Sequence, residues 1–431
     1  MKAFPILKTL VSGLALLAAP IVSGQQAGTR EPMQHSVSGA TPLASLIDEA
    51  RANNPRIQSA VHAYQAATYK PKQDGALPDT QVMVQHLSVG SPRPFAGYTN
   101  SDFAYIGVGG SQEFPYPGKR KARAEVAARE AESLQAQTDS AGREVIGRLK
   151  AVYFQLAFVQ QAISLLQHHD GILAEMEQVV ESQYRVGKGD QQEVLKAQLQ
   201  HTKILQEMAM NRREEGQLEA QLKQLLGRPQ DSPDIVAEQL RERALPYSSS
   251  QLLRMVQEQS PAIRSQQAML RQAESQVALA QKEFRPDFNL QYMYQNTDRK
   301  FRDYYMLTFG INLPNRGRRR AELAESQEKR ARASAELQSE IQRQMAELQE
   351  QFVVAQTSSE QLKIYSEGLI PQAAATFRSA MAAYQANRQG FQTLLSSFLD
   401  ALDLDLQYQR ELAEHESALA QIEALTGVSL P

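Results

Sequence analysis

Cysteine is absent from all 431 residues, and so is tryptophan. Without cysteine there is no disulfide framework, no zinc–thiolate centre, no thiol nucleophile and no cysteine for lipid attachment. Net charge is nearly absent too. Lys and Arg number 46 against 48 Asp and Glu, leaving −2, so no global basic field points to nucleic acid. Aromatic residues make up 7% and hydrophobic ones 42%, which is lean for a large compact core. Ala, Gln, Glu, Leu and Arg are heavily used instead, as in long packed helices. No GxSxG, HExxH, Walker-type or GxGxxG pattern stands in a usable context, so an enzyme has little to rest on and no cofactor is implied. The seven histidines are scattered; His168 and His169 are neighbours on a helical stretch, pointing about 100° apart, and cannot share one metal ion through one face. Long apolar runs are missing as well. Residues 10–19 are apolar, but a spanning helix needs about 20 such residues. With Lys2 and Lys8 nearby and Val22-Ser23-Gly24 following, residues 1–24 read as a secretory signal peptide. No other stretch of that kind is expected.

What the chain does contain, it contains twice. After a Gly/Ser/Thr/Pro-rich segment (residues 25–42, expected to be a mobile tail), NNPRIQSAVHAYQAA (residues 53–67) resembles QSPAIRSQQAMLRQA (residues 259–273). In each, Asn54 or Ser260 is placed to cap a helix whose first residue is Pro55 or Pro261, where a missing N–H costs nothing. ALPDTQVMVQ matches FRPDFNLQYMYQ, and FPYPGKRKARAE matches LPNRGRRRAELAE. Finally, YRVGKGDQQEVLKAQL from Tyr184 matches YQANRQGFQTLLSSF from Tyr384. Four landmarks in the same order, each about 200 residues apart, mark an internal duplication. The expected layout is a first repeat over 43–230, a linker over 231–250 and a second repeat over 251–427.

Each repeat reads as helix, strand, loop, strand, very long helix, break, helix. Phe288, Leu290, Tyr292 and Tyr294 alternate with Asn289, Gln291, Met293 and Gln295, and Tyr305, Leu307, Phe309, Ile311 and Leu313 with polar or small residues at Thr308, Gly310 and Asn312. Period two gives one apolar and one polar face. Val82, Val84, Ile106 and Val108 form a weaker first copy, with the small-residue run GVGG from Gly107 set to relieve crowding or permit a bend. From Lys119 to Tyr184 there is no proline, so one helix could reach about 100 Å. Val145, Leu149, Val152, Leu156, Val159, Ile163 and Leu166 step through it as a heptad seam. Leu218, Leu222 and Leu225, then Leu395, Leu399, Leu402 and Leu406, continue the pattern in the return helices.

Four strands cannot close a barrel, which needs at least eight. An open sheet with a lipid-compatible face leaves unpaired edges that hydrocarbon does not tolerate. Several copies pooling strands into one barrel solve both problems, and an exported chain with such strands belongs in a bacterial outer membrane. Basic runs follow the second and fourth strands: Lys119, Arg120, Lys121 and Arg123, then Arg316, Arg318, Arg319 and Arg320. The helix macrodipole disfavours cations there. Lys119, Arg120, Arg318 and Arg319 are therefore expected to meet anionic headgroups at the membrane rim, the alternative being a solvated helix start with carboxylate neighbours.

The order of elements, the duplication, and the FPYPGK and YRVGKG segments resemble the TolC-type outer membrane efflux proteins over nearly the whole mature chain. The resemblance implies an α+β membrane protein: long antiparallel coiled-coil helices forming a periplasmic α-barrel, and four strands per chain of a trimeric, twelve-stranded transmembrane β-barrel. It implies a homotrimer that takes substrates from an inner-membrane pump, of the RND type, through a periplasmic membrane-fusion adaptor. The two breaks become hairpin turns at the periplasmic tip, using Gly187, Lys188, Gly189, Asp190, Asn387, Arg388 and Gly390, where Gly187, Gly189, Asn387 and Gly390 are residue types that tolerate positive φ. By position, Tyr384 matches a gate tyrosine, Gln192 a gate aspartate and Gln389 a gate arginine, with Arg388 beside it. Because that charged pair is missing here, Lys188, Asp190 and Arg388 are candidates for another. An aspartate ring of some members is absent; Asp400 and Asp403, in a stripe with Gln407 and Arg410, are the candidates for an acidic lumen lining. FPYPGKR is similar to the heavy-metal branch of the family and implies metal cations as substrate. Two rival readings remain: a conduit for type I protein secretion, and a soluble periplasmic coiled-coil adaptor or scaffold, which leaves the amphipathic strands unexplained.

Overall fold

A computed structural model describes residues 39–93, 96–97, 101, 103–296 and 303–430. The expected signal peptide, most of the expected tail and parts of both strand-connecting loops lie outside the described residues. The end of that tail is held in place. Thr41 N–H donates to Val236 O at 2.8 Å, and the Tyr153 hydroxyl donates to Thr41 O at 2.9 Å.

The first repeat runs α1 (Leu43–Asn53), α2 (Pro55–Asp74), β1 (Gln81–Leu87), β2 (Tyr105–Phe114), α3 (Lys119–Arg185) and α4 (Gln191–Leu226). The second runs α5 (Ser249–Gln259), α6 (Pro261–Lys282), β3 (Asp287–Asn296), β4 (Tyr304–Asn312), α7 (Arg316–Ile364), α8 (Ile370–Gln385) and α9 (Phe391–Thr426). Asn54 caps α2 as its sequence implies, accepting from the N–H groups of Arg56 and Ile57 at 2.9 and 3.3 Å. Ser260 does not cap α6; its hydroxyl turns instead toward Gln344 of α7, 3.5 Å away.

At 67 residues, α3 is one unbroken helix. Its partner in the second repeat is interrupted by a π-helical turn, Tyr365–Leu369, between α7 and α8. Pro371 stands in the first turn of α8 and has no N–H to return to the preceding turn, so the ladder widens there rather than breaking. The heptad seam is the packed face of α3: Leu149, Leu156, Val159 and Leu166 are fully buried. Below Leu166 it continues through Leu173, Met176 and Val180 against α4, α8 and α9. Above it, Tyr153, Leu156 and Val159 pack on α1, the end of α4 and the 231–250 segment. An 18-residue window of α3 has a mean hydropathy of 1.3, long and apolar enough to cross a membrane, contrary to expectation. However, 56% of that window is buried within the fold, so its apolar side chains form the helical core.

The 231–250 segment is strapped to this core. Gln160 of α3 donates to Ile235 O and accepts from Ala237 N–H, both at 2.9 Å. Lys223 of α4 reaches Asp234 at 3.2 Å. Beside this contact, the Glu219 carboxyl is pushed up to about 7, first by burial and then by Asp234. A carboxyl whose folded pKa lies above its unfolded value binds an extra proton in the fold, so its stabilising effect is complete in acid and fades as pH rises through 7. Amide exchange across residues 231–238 should therefore quicken beyond its intrinsic rate between about pH 5 and 8. In Glu219→Gln that pH dependence should flatten; an unchanged profile would show that Glu219 does not govern the strap.

All four strands form one antiparallel sheet in the order β1-β2-β3-β4, with β2 pairing β3 across the repeats. The pairs Phe288–Ile311, Leu290–Phe309, Tyr292–Leu307 and Tyr294–Tyr305 place the alternating apolar residues on one face. That face is open: Val82 is 77% exposed and Leu307 70%. Phe288 stacks on Phe309 and Tyr292 on Tyr305. Both outer strands, β1 and β4, present unpaired edges within one chain.

Candidate functional site

Two helix reversals share one backbone design. α3 is followed by Gly187 at φ +72°, and α8 by Asn387 at φ +59°, the one non-glycine residue at positive φ among those described. In the first, Lys188 N–H donates to Gln183 O at 2.9 Å and Gly187 N–H to Tyr184 O at 3.0 Å. In the second, Arg388 N–H donates to Ala383 O and Asn387 N–H to Tyr384 O, both at 2.9 Å. This pair of bonds satisfies the last carbonyls of a helix and needs a left-handed residue just past its end.

Of the four residues expected at positive φ, only Gly187 and Asn387 are. Gly390 precedes α9 in extended backbone, φ −74°, as Asp190 precedes α4 at φ −95°. Gly189 provides space: a Cβ there would stand 3.2 Å from Glu193 Oε2 and 3.3 Å from the Tyr184 nitrogen. Lys188, Asp190 and Arg388 are exposed at the two turns.

Tyr384 is buried, and its hydroxyl donates to Glu193 Oε2 at 3.0 Å, joining the second turn to the helix that leaves the first. Burial, and then the Glu193 carboxylate, push the phenol well above its ordinary pKa. Its ring lies edge-on to Phe391. Position-matching pointed to Gln192, which is exposed; the partner is the next residue. Glu193 was legible only as the first-turn acid of α4. Gln389 is half-buried and adds no bond to this link.

Asp400 and Asp403 are exposed on α9. Gln407 donates to Asp403 at 2.5 Å and accepts from the Tyr365 hydroxyl, within the π-helical turn, at 2.9 Å. Arg410 is exposed too, its guanidinium lying 5.5 Å over the Phe158 ring of α3.

Where strands meet helices, Lys119, Arg123, Arg318 and Arg319 are answered by protein carboxylates. Lys119 is 1% exposed, so it cannot meet a headgroup. Its ammonium lies 2.9 Å from Asp287 and 3.3 Å from Glu283. Arg123 and Arg319 converge on Glu283 at 2.9 and 3.5 Å, and Arg318 pairs with Glu322 at 2.8 Å. Asp287 also accepts the Tyr116 N–H at 2.8 Å. One cluster thus ties the starts of α3, β3 and α7 to the end of α6. Lys119 and Arg123 are neutralised by acids contributed by the other repeat, Arg318 and Arg319 by acids of their own. Arg120 donates to Gly75 O at 2.9 Å.

Among the described residues no group of His, Asp and Glu could hold a metal ion. The model for the outer membrane efflux protein family matches residues 46–228 and 252–425, one block in each repeat. No curated protein matches the sequence. Among solved structures, the chain is similar to CusC, at 16% identity and a TM-score of 0.77 over 94% of this chain and 99% of that one. The outer-membrane channel OprN aligns at 17% identity, TM-score 0.76, over 89% of each chain. The CmeC outer membrane channel of Campylobacter jejuni aligns at 14% identity, TM-score 0.76, over 95% of this chain and 94% of that one.

Proposed function

The chain belongs to the outer membrane efflux protein family, and on that premise we propose that three copies close their sheets into one barrel that continues as a helical tunnel. It is an outer-membrane efflux channel with a large periplasmic portion, and not an enzyme. The observation that carries the proposal is the sheet itself. Four strands with two open edges expose Val82, Val84, Leu307 and Phe309 on one face. Neither the edges nor that face is stable in water for a lone chain, and lipid tolerates the face only once the edges are closed. Three copies of four strands give twelve.

The absence of cysteine makes the test clean. Cysteine pairs placed along β1 and β4 should crosslink between chains into a covalent trimer, with none forming inside one chain. A protein that stays monomeric in lipid, uncrosslinked at every register, would refute the trimer.

Of the tip residues, the turns around Gly187 and Asn387 are proposed to meet a periplasmic adaptor that receives substrate from an inner-membrane pump of the RND type. The Tyr384–Glu193 bond is proposed to hold the tip narrow. A hydrogen bond to a carboxylate contributes about 1.5–3 kcal/mol, so Tyr384→Phe should raise the open fraction by roughly tenfold. Conductance across planar bilayers reads this directly; wild-type conductance in Tyr384→Phe would remove the bond from the gate. The likeness of FPYPGKR to the heavy-metal branch supports metal cations as cargo.

A further inference from the structure

Across the strands, the sheet has a row that its sequence does not advertise. Met83 pairs with Gly109, Gly109 with Met293, and Met293 with Met306. One level of the inner face therefore reads Met, Gly, Met, Met from edge to edge. Ser111, Gln291 and Thr308 form the level on one side; Gln85 and Gln295 lie on the other. The thioethers form one band in a face whose other members are mostly polar or glycine, with Leu87, Tyr105 and Tyr304 toward one end. Glycine leaves room here for backbone and thioether alike: a Cβ on Gly109 would stand 2.5 Å from Tyr292 O and 2.9 Å from both Sδ and Cε of Met293. Gln291 Nε2 lies 3.5 Å from Met83 Sδ as a donor. Met293 is buried beneath its neighbours, while Met306 is 37% exposed.

Lipid explains the apolar residues of the opposite face, and gap-filling explains one methionine. Neither explains three at one level of the wet face. Thioethers are soft, neutral donors that select Cu(I)-like ions over alkali, alkaline-earth and borderline cations. Being uncharged, they bind without the deep electrostatic trap of a carboxylate ring, and a conduit needs sites weak enough to release. With no cysteine in the chain, thioethers are its only sulfur donors.

We propose that this band is a transit site for soft monovalent metal ions of the Cu(I) and Ag(I) class. The proposal rests on the reading that this face lines the lumen of a three-chain barrel. Met83 and Met306 stand on the two edge strands, so the band reaches both seams where neighbouring copies join.

Met to Leu conserves volume and removes only the sulfur, so the triple variant Met83→Leu/Met293→Leu/Met306→Leu should fold and assemble. Ag(I) titrated calorimetrically into detergent-solubilised wild-type trimers should bind at least tenfold more tightly than to that variant. X-ray absorption should show silver–sulfur scattering in the wild type, lost in the variant. Potassium conductance should be the same in both. Equal silver affinity, or no metal–sulfur bonds in the wild type, overturns the proposal while leaving the channel intact. A wild type that forms no conducting trimer overturns both readings.

Discussion

Replacing Gly187 with valine should abolish efflux while trimers still assemble. The effect is one of backbone alone, since a Cβ at Gly187 would meet nothing within 4 Å. The position sits at φ +72°, a region that costs an ordinary L-residue about 1–2 kcal/mol and a β-branched one more. The turn is an exposed end rather than a core, so the molecule relieves that strain by re-forming the turn rather than by unfolding. Re-forming it displaces Lys188 and Asp190 from the surface proposed to meet the adaptor and draws Glu193 away from Tyr384. The second repeat supplies the control. Asn387 occupies the equivalent position at φ +59°, so Gly187→Asn should retain most of the activity. Growth in the presence of exported substrate, measured with the partner pump and adaptor present, separates these outcomes. Normal resistance in the valine variant would end the assignment of this turn to the adaptor contact.

Lys119→Ala should have the largest effect on stability. Its ammonium is buried between Asp287 and Glu283. Removing one member of a buried ion pair leaves a desolvated charge, at a cost of roughly 3–5 kcal/mol. Glu283 retains Arg123 and Arg319, so the damage falls on Asp287, at the first residue of β3. The expected result is little folded trimer in the membrane, seen as loss of the heat-modifiable band on gels. Asparagine at 287 can still accept the Tyr116 N–H, so Lys119→Met/Asp287→Asn should recover much of that trimer. Such recovery would be a coupling that distant sites do not show. Arg318→Ala, whose guanidinium is exposed and paired within its own helix, should change stability by no more than about 0.5 kcal/mol. If Lys119→Ala assembles like the wild type, the junction is held by something other than this cluster.

Much of the fold is legible locally. The seam from Val145 to Leu166, the alternation from Phe288 to Tyr294 and the glycine break at 187 are all patterns within a few turns or strand residues. A short-range period reports which face is buried without saying against what. The candidate sites were legible only to that depth. The turn at Gly187 and Asn387 could be placed, but Glu193 could not be told from Gln192, because its partner Tyr384 lies 191 residues away. The Lys119 ammonium looked unneutralised because Glu283 and Asp287, from the other repeat, reach it through the β2–β3 pairing that joins the repeats. Met83, Met293 and Met306 share a level only through three strand registers.

The amino-acid sequence by itself determined the duplication, the unbroken length of α3, the alternating strands and where each long helix reverses. All of these follow from the backbone geometry of neighbouring residues and from side-chain period. Only the tertiary structure decided which acid answers Lys119, which carboxylate holds Tyr384 and which residues stand side by side across the sheet. Those pairings depend on register between segments far apart in the chain, and no local pattern carries that register.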